Sequence, residues 1–226
     1  MKSASFSFVI PVLNEQERIA PLLRHLRALY PDCESIVVDG GSNDATVAQA
    51  LPLCSILLTC PPGRAGQMNA GAKAASTDYV FYLHADTLPT LDLGSLQAAL
   101  AQQPDWGFCR VRLSGAGAAF RVIEAAMNLR SRLSSVATGD QMIFVQRNFL
   151  EQTEGYAPLP LMEDIEYTKR LRKICAPMIL SHPVETSSRR WEEAGIVTTV
   201  IRMWVLRLAY FLGVQPQHLL KYYYGR

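Results

Sequence analysis

Residues 7–23 read SFVIPVLNEQERIAPLL and pass from an apolar strand into an amphipathic helix. Residues 7–12 are almost continuously apolar and rich in branched side chains, which is typical of a buried strand. Asn14 occupies the expected N-cap of the helix, with Glu17 three residues later as its capping-box partner. Apolar residues then recur at helical spacing, so the sequence predicts a strand followed directly by a helix.

The same alternation of strand and helix continues through the first 90 residues. We predict further strands at 35–38, 55–59 and 79–83, with a short helix from near residue 44 and a longer one at 66–75. Such alternation favours a sheet of parallel strands with helices on both faces. Ligands bind such sheets at the carboxyl ends of the strands, and Asn14, Asp39 and Asp86 all fall there.

The second half of the chain has a less regular pattern. It predicts helices at 91–102, 120–133 and 163–173, and strands at 107–113, 142–145 and 178–181. Because no linker, repeat or low-complexity stretch interrupts the pattern, we predict one domain over residues 1–226. Residues 195–226 form its C-terminal helical extension, packed on the domain, on a partner or on a membrane surface.

The composition excludes several classes of protein. Hydrophobic residues make up 49% of the chain and charged residues 19%, as in an ordinary globular domain. A net charge of +2 gives no polyelectrolyte signature, so we expect no nucleic-acid partner. The five cysteines form no C-x-x-C pair, which favours neither a disulfide framework nor a zinc site. Because the N-terminus also lacks the apolar core of a signal peptide, we expect a cytoplasmic protein.

The apolar stretch 196–214 is interrupted by Arg202 and Arg207. Because a charge at the centre of a bilayer is costly, we do not expect a membrane-spanning helix here. Two alternatives stay open. The stretch packs on the domain or on a partner, including a second copy, or it lies at the inner face of the membrane with Trp204 and residues 221–224 among the headgroups.

Asp39 and Asp86 each end a predicted strand. Two glycines follow Asp39 and allow close approach of a ligand, so its carboxylate either accepts hydrogen bonds from a planar base or sugar or forms a tight turn. Asp86 stands two residues after His84. A carboxylate beside an imidazole suits a divalent cation on a diphosphate, whereas the alternative for Asp86 is an ordinary turn residue.

Three further stretches carry polar groups where predicted helices begin or loops run. Residues 64–71 (RAGQMNAG) suit either an anion at a helix N-terminus or close packing of small side chains. Glu163 and Asp164 either complement a helix dipole or supply a general base toward an acceptor hydroxyl. Residues 189–191 (RRW) either form a basic surface pair or stabilise a leaving diphosphate.

The order of these motifs resembles that of family-2 glycosyltransferases of the GT-A fold. In particular it resembles a small bacterial subgroup found near radical-SAM genes and linked to arsenosugar biosynthesis. The resemblance runs from residue 9 to residue 191 and rests on VIPVLNE from Val9, VVDGGSND from Val37, GRAGQMNAG from Gly63, LHADT from Leu83 and ED at Glu163. It implies an α/β, Rossmann-like sheet, mixed but mostly parallel, flanked by helices and followed by C-terminal helices.

The resemblance also implies residues that bind a nucleotide-sugar donor. Asp39 is expected to bind the nucleotide base, with Pro11 and Glu15 lining the same cleft. Arg64 and Asn69 are expected near the ribose or the phosphates.

Asp86 matches the last position of the family's D-x-D motif, and His84 stands at the first. Asp86 is therefore the expected protein ligand of Mn²⁺ or Mg²⁺ on the diphosphate. On the acceptor side, Gly139 and Asp140 resemble a loop of the subgroup, although Asp140 alternatively caps a turn.

For catalysis, the resemblance implies that the Glu163-Asp164 pair contains the base, and Asp164 is favoured. Arg190 and Trp191 resemble the end of the Q-x-x-R-W motif of processive members. The glutamine of that motif is Ser187 here, which argues against a processive polymerase.

These assignments predict inverting, non-processive transfer of a sugar, with UDP-sugars favoured as donors, to a small-molecule or lipid-linked acceptor. Two alternatives stay open: a nucleotidyltransferase and a non-catalytic nucleotide-sugar binding protein. A nucleotidyltransferase normally carries a glycine-rich loop after the first strand, where Asn14 and Glu15 stand here.

Overall fold

The computed structural model describes residues 3–224, apart from the side chains of Arg190, Lys221, Tyr223 and Tyr224. The strands are β1 (Phe6–Val12), β2 (Glu34–Asp39), β3 (Ile56–Thr59), β4 (Tyr79–Tyr82), β5 (Thr87–Pro89), β6 (Trp106–Leu113), β7 (Phe144–Gln146) and β8 (Met178–Thr186). The helices are α1 (Ile19–Leu29), α2 (Thr46–Ala50), α3 (Arg64–Ala74), α4 (Leu93–Leu100), α5 (Ala118–Ser134), α6 (Arg147–Gln152), α7 (Glu163–Ile174), α8 (Arg189–Ala194), α9 (Ile196–Phe211) and α10 (Pro216–Tyr224). A 3-10 turn at Gly139–Gln141 precedes β7.

The eight strands form one sheet in the order β3-β2-β1-β4-β7-β6-β8-β5. The first four strands in that order are parallel, and β7 is antiparallel to both of its neighbours. β6 and β8 pair in parallel, while β5 lies antiparallel to β8 at the edge. The predicted α/β sheet, mixed but mostly parallel and flanked by helices, is therefore confirmed.

Two apolar cores cover the two faces of the sheet and explain the unbroken apolar run of β1. Phe8 packs on one face with Leu22 and Leu26 of α1. Val9 points to the other face, where it packs with Met68 of α3. Because both faces of a parallel sheet are covered, its strands read as continuous apolar segments rather than alternating ones. Burying each such leucine or phenylalanine contributes about 1.5–3 kcal/mol.

The predicted capping box at Asn14 and Glu17 is wrong. The helix begins at Ile19 with Arg18 at the N-cap, where the described chain shows no side-chain cap. Asn14 adopts a left-handed backbone conformation with φ of 56°. Its Oδ1 instead accepts a hydrogen bond of 2.9 Å from the backbone N–H of Asn43, which joins the loops after β1 and β2.

Several elements differ from the predicted pattern, including the short helices α6 and α8, which the sequence did not indicate. β8 continues past residue 181 to Thr186, and the sequence did not indicate β5. The two observations have one cause, because the extra residues of β8 pair with β5 across Thr87 and Thr186. The apolar stretch 196–214 is also not one helix: α9 ends at Phe211, since Gly213 takes φ of 89° and α10 restarts at Pro216.

The C-terminal helices pack on the beginning of α7. Leu206 of α9 and Leu219 of α10 are buried with Met162 and Ile165. Lys169 Nζ lies 5.0 Å from the ring centre of Tyr210, a cation–π contact on the same side of α9. Within residues 3–224, no helix has both the length and the apolar character that crossing a membrane requires.

Candidate functional site

The carboxyl ends of β1 and β2 carry a loop ordered by Asp39. This side chain is 2% exposed, and its carboxylate accepts hydrogen bonds from the backbone N–H groups of Gly41 at 2.9 Å and Ser42 at 3.0 Å. The two adjacent strands also place Val12 opposite Asp39, with Pro11 one residue earlier. The sequence left two roles open for Asp39, binding a ligand or forming a tight turn. The structure shows the turn, and its hydrogen bonds fix the direction of the Asp39 carboxylate.

Gln67 was not singled out by sequence reasoning, although it lies in the predicted small-residue helix. Its side chain is 5% exposed. Its Nε2 donates to the carbonyl oxygens of Val12 at 2.9 Å and Val38 at 2.8 Å. Gln67 thus satisfies two strand-end carbonyls where the ladder of the parallel sheet ends. The only signal in the sequence was a long polar side chain among Gly and Ala.

Glu15 follows the end of β1 and pairs with a residue that the sequence did not suggest. Its Oε2 lies 2.6 Å from Arg18 Nη1. The hydrogen bond to Glu15 raises the pKa of Arg18, and the charge of Asp86 contributes in the same direction. Glu15, Arg18 and Asp86 therefore share one electrostatic environment at the carboxyl ends of β1 and β4.

Asp86 lies between β4 and β5, exposed to solvent. Its carbonyl oxygen accepts a hydrogen bond of 3.1 Å from the backbone N–H of Ser187. The pairing of β5 with β8 thus brings α8, with its partly buried Trp191, beside the end of β4. The Arg190 side chain, predicted to contact the leaving diphosphate, lies outside the described residues.

His84 and the 3-10 turn at Gly139 pack tightly against each other. A Cβ placed on Gly139 would lie 2.2 Å from His84 Cε1 and 2.4 Å from His84 Nε2. His84 Nδ1 lies 3.5 Å from Asp140 Oδ1. Its Nε2 is buried and has no hydrogen-bond partner within residues 3–224. Only glycine at residue 139 allows this approach.

The same turn holds the acidic pair at the start of α7. The backbone N–H of Gly139 donates to Asp164 Oδ2 at 2.7 Å, and the N–H of Ile165 donates to Asp164 Oδ1 at 2.7 Å. Asp164 is partly exposed, whereas Glu163 is buried with 4% exposure. Of the two acids, Asp164 is therefore the one that is accessible from solvent.

Glu163 faces Arg64 from the beginning of α3, with Oε1 and Nη1 3.6 Å apart. Burial raises the pKa of Glu163, and the neighbouring charge of Asp164 raises it further. The positive charge of Arg64 acts in the opposite direction. The predicted residues Arg64, His84, Glu163 and Asp164 are thus gathered at one place, although they come from three separate motifs.

Arg130 of α5 belongs to the same group and was missed. Burial lowers its pKa, while the negative charges of Asp164 and Asp140 oppose that shift. Sequence reasoning placed Arg130 on an ordinary amphipathic helix, and nothing in its local pattern separates it from the other arginines there. Its proximity to both carboxylates arises from the packing of α5 beside the Gly139 turn.

The side-chain amide of Asn69 is paired with the backbone of Tyr156. Its Nδ2 donates to the carbonyl oxygen of Tyr156 at 2.8 Å, and its Oδ1 accepts from the N–H of Tyr156 at 2.8 Å. Gly155 makes this pairing fit, because it has φ of 65° and a Cβ there would lie 2.5 Å from Asn69 Oδ1. Asn69 thereby fixes the loop that leads to Glu163.

We expect Gly139→Ala to lower the free energy of unfolding by about 1–3 kcal/mol, because the added methyl group overlaps the imidazole of His84. Urea denaturation measures the change. Gly66→Ala is the matched control, since a Cβ there meets nothing within 4 Å and alanine favours a helix. His84→Ala combined with Gly139→Ala should recover part of the loss. Equal urea midpoints for Gly139→Ala and the wild type would contradict the packing described.

The residues present fit a divalent cation that takes most of its ligands from phosphate and water. Asp86 offers an exposed carboxylate, and oxygen ligands suit Mg²⁺ and Mn²⁺. The Nε2 atom of His84 is buried beside Gly139. Within the described range no three His, Cys, Asp or Glu residues form a cluster able to enclose a metal by themselves.

A family model described as "Glycosyl transferase family 2" matches residues 7–150. No curated protein matches the chain significantly. The matched segment contains β1 to β7 and the Gly139 turn, and it ends before the acidic pair.

Several solved structures share the fold. S. aureus TarS 1–349 in complex with UDP has a TM-score of 0.64 at 18% identity, over 81% of this chain and 60% of that one. The mannosyltransferase PcManGT from Pyrobaculum calidifontis, in complex with GDP-Man and Mn²⁺, has a TM-score of 0.62 at 19% identity, over 83% and 57%. Glucosyl-3-phosphoglycerate synthase from Mycobacterium tuberculosis, in complex with Mn²⁺, UDP and phosphoglyceric acid, has a TM-score of 0.61 at 19% identity, over 93% and 79%.

The chain spans about 60% of the TarS and PcManGT chains that it matches. At identities below 20% these similarities establish the fold, which is the predicted GT-A fold. The nucleotides and metal ions named for these structures are ligands of the relatives themselves.

Proposed function

The chain belongs to glycosyl transferase family 2, and from that premise we propose that it transfers a sugar from a nucleoside diphosphate to an acceptor hydroxyl. The observation that carries the proposal is the contact between the Gly139 turn and Asp164. In this contact the partly exposed carboxylate of Asp164 accepts a hydrogen bond of 2.7 Å from the backbone N–H of Gly139, which lies beside His84 after β4. Sheets of this type bind ligands at that edge.

On the donor side, we assign the nucleotide base to the cleft formed by Asp39, Pro11 and Glu15. The hydrogen bonds from Gly41 and Ser42 hold the Asp39 carboxylate in place. We assign Arg64, whose side chain is 49% exposed and faces Glu163, to the phosphates. The relatives in complex with UDP or GDP-Man support a nucleoside diphosphate donor, and UDP stays our first expectation.

On the leaving-group side, Asp86 is the protein ligand we assign to Mn²⁺ or Mg²⁺, and His84, at the first position of the motif, is assigned to the nucleotide-sugar. Two relatives are described with Mn²⁺, which supports this choice. A bound cation would offset negative charge on the departing diphosphate. We also assign Trp191 and Arg190 to the departing diphosphate, because the hydrogen bond between Ser187 and Asp86 brings the start of α8 beside Asp86.

The proposed reaction is an in-line displacement. The acceptor oxygen forms a bond to the anomeric carbon from the face opposite the nucleoside diphosphate, and the bond from that carbon to the diphosphate oxygen breaks. Because the attack comes from the opposite face, configuration at the anomeric carbon inverts. Asp164 takes the proton of the acceptor hydroxyl. Asn69 acts indirectly, by holding the Tyr156 loop against α3.

The acceptor side lies at Gly139 and Asp140, which face His84 and Asp164. Ser187 replaces the glutamine of processive enzymes, so we propose a single transfer per acceptor, which is either a small molecule or lipid-linked. We also propose that residues 1–226 act as one domain. Membership of the subgroup linked to arsenosugar biosynthesis stays a prediction that rests on motif order.

The test is incubation of the full chain with a panel of UDP- and GDP-sugars and Mn²⁺, followed by chromatography of the nucleotides. We expect slow release of free nucleoside diphosphate from one donor, and faster release once an acceptor is supplied. Release of pyrophosphate from a nucleoside triphosphate and a sugar phosphate would identify a nucleotidyltransferase instead. Saturable binding with no release from any donor would identify a binding protein.

A further inference from the structure

α9 has two apolar faces on opposite sides. The inner face contains Leu206, which is 1% exposed and packs on α7, as described above. The outer face consists of exposed apolar side chains at positions alternately four and three residues apart: Val197, Ile201, Trp204, Leu208 and Phe211. Val205 and Leu212 lie beside them and are also exposed. At 1.5 Å per residue this face is roughly 20 Å long.

The outer face exposes its largest side chains most. Trp204 is 73% and Phe211 78% exposed. Leaving such side chains in water along one continuous face is unfavourable, and contiguous apolar surface of this extent marks an interaction surface. On α10, Tyr222 is likewise exposed.

The charged residues of α9 and α10 are all basic, although Glu192 and Glu193 of α8 stand just before α9. Arg202 and Arg207 follow the helical repeat onto the two opposite flanks of the apolar face. Residues 194–226 contain four Lys or Arg residues and no Asp or Glu. Two copies packed through this face would bring arginines together without an acidic partner, whereas an anionic lipid surface supplies the opposite charge.

We propose that the outer face of α9 binds the surface of a bilayer that contains anionic lipid. The helix lies in the plane of the interface, with its apolar side chains among the acyl chains and the exposed Arg202 at the phosphate groups. Trp204 occupies the headgroup boundary, where an aromatic ring with one polar atom is stable.

The position of α9 connects this surface to the acidic pair. Its inner face contacts Met162 and Ile165, the residues on either side of Glu163 and Asp164. The pair is therefore separated from the bilayer by about one helix diameter, roughly 10 Å. If the proposed transfer holds, this arrangement favours an acceptor hydroxyl carried by a lipid headgroup. Membrane binding itself does not depend on the transfer.

The experiment is flotation of the full chain with vesicles of phosphatidylcholine alone or mixed with phosphatidylglycerol. We expect the wild type to float with the mixed vesicles, and Trp204→Ser combined with Leu208→Ser to lower the partition coefficient by at least about tenfold. The control exchanges two apolar residues of similar exposure elsewhere, Leu51→Ser with Ile174→Ser, and should bind like the wild type.

Arg202→Glu tests the electrostatic part separately. It should weaken binding to the mixed vesicles and leave the weaker binding to phosphatidylcholine unchanged, and added salt should act in the same direction. Circular dichroism checks that each variant is folded. Because Arg202 is exposed, this variant provides a result even where the serine variant does not fold.

Three results would overturn the proposal. The first is a wild type that stays with the soluble fraction in the presence of mixed vesicles. The second is an equal loss of binding in the control variant. The third is a stable dimer in sedimentation velocity that the Trp204 and Leu208 exchanges dissociate, because the face would then belong to a second copy. None of these results bears on nucleotide release, so the proposed transfer is tested independently.

Discussion

Asp164→Asn is expected to lower the rate of sugar transfer by roughly 10²–10⁴-fold, the usual effect of removing a general base. The amide has nearly the shape of the carboxylate but does not accept the acceptor's proton. It also loses one of the two backbone hydrogen bonds, from Gly139 or Ile165, that Asp164 accepts. The measurement is steady-state release of nucleoside diphosphate, alongside calorimetric binding of the nucleotide, which should persist.

Glu163→Gln is the matched comparison for Asp164→Asn. Glu163 is buried and faces Arg64, so its amide variant should retain far more activity than Asp164→Asn. Unchanged turnover in Asp164→Asn, together with a large loss in Glu163→Gln, would transfer the role of base to Glu163. Thermal unfolding of both variants separates a loss of catalysis from a loss of folded protein.

Asp86→Ala is expected to abolish the gain in nucleoside diphosphate affinity that Mn²⁺ gives the wild type. Losing an outer-shell partner of a metal already costs roughly 10–100-fold in affinity, and Asp86 is proposed as a direct ligand. Calorimetric titration of UDP with and without Mn²⁺ measures the effect.

Asp32→Ala is the control for the metal experiment. Asp32 is also exposed, but it precedes β2 and therefore lies at the opposite edge of the parallel strands. Its variant should respond to Mn²⁺ as the wild type does. If Asp86→Ala keeps the full metal-assisted affinity, the assignment of Asp86 as the metal ligand is incorrect.

The sequence predicted the parts of the fold that depend on local pattern. The alternation in the first 90 residues was sufficient for the parallel strands, and strand ends placed Asp39 and Asp86 at one edge of the sheet. It did not predict β5, because three residues become a strand only when they pair with Thr186 almost a hundred residues later. Local propensity contains no information about such a partner.

The candidate site was likewise predictable only where it depends on local sequence pattern. Glu163 and Asp164 were recognisable as acids at the start of a helix, but their contacts with Arg64 and Gly139 depend on packing between distant elements. Gln67 and Arg130 were missed for that reason. The capping box at Asn14 was wrong because a tertiary hydrogen bond to Asn43 replaces the local one.

The strand order also constrains how the protein folds during synthesis. β4 leaves the ribosome early and pairs with β1 on one side, but its neighbour on the other side is β7. That edge of β4 therefore stays unpaired until residues 144–146 emerge. β5 stays unpaired longer, until the end of β8 has been synthesised. An open strand edge promotes association with other chains. The nascent protein is thus most exposed to aggregation while α4, β6 and α5 are being made, and the pairing of β7 with β4 ends that interval.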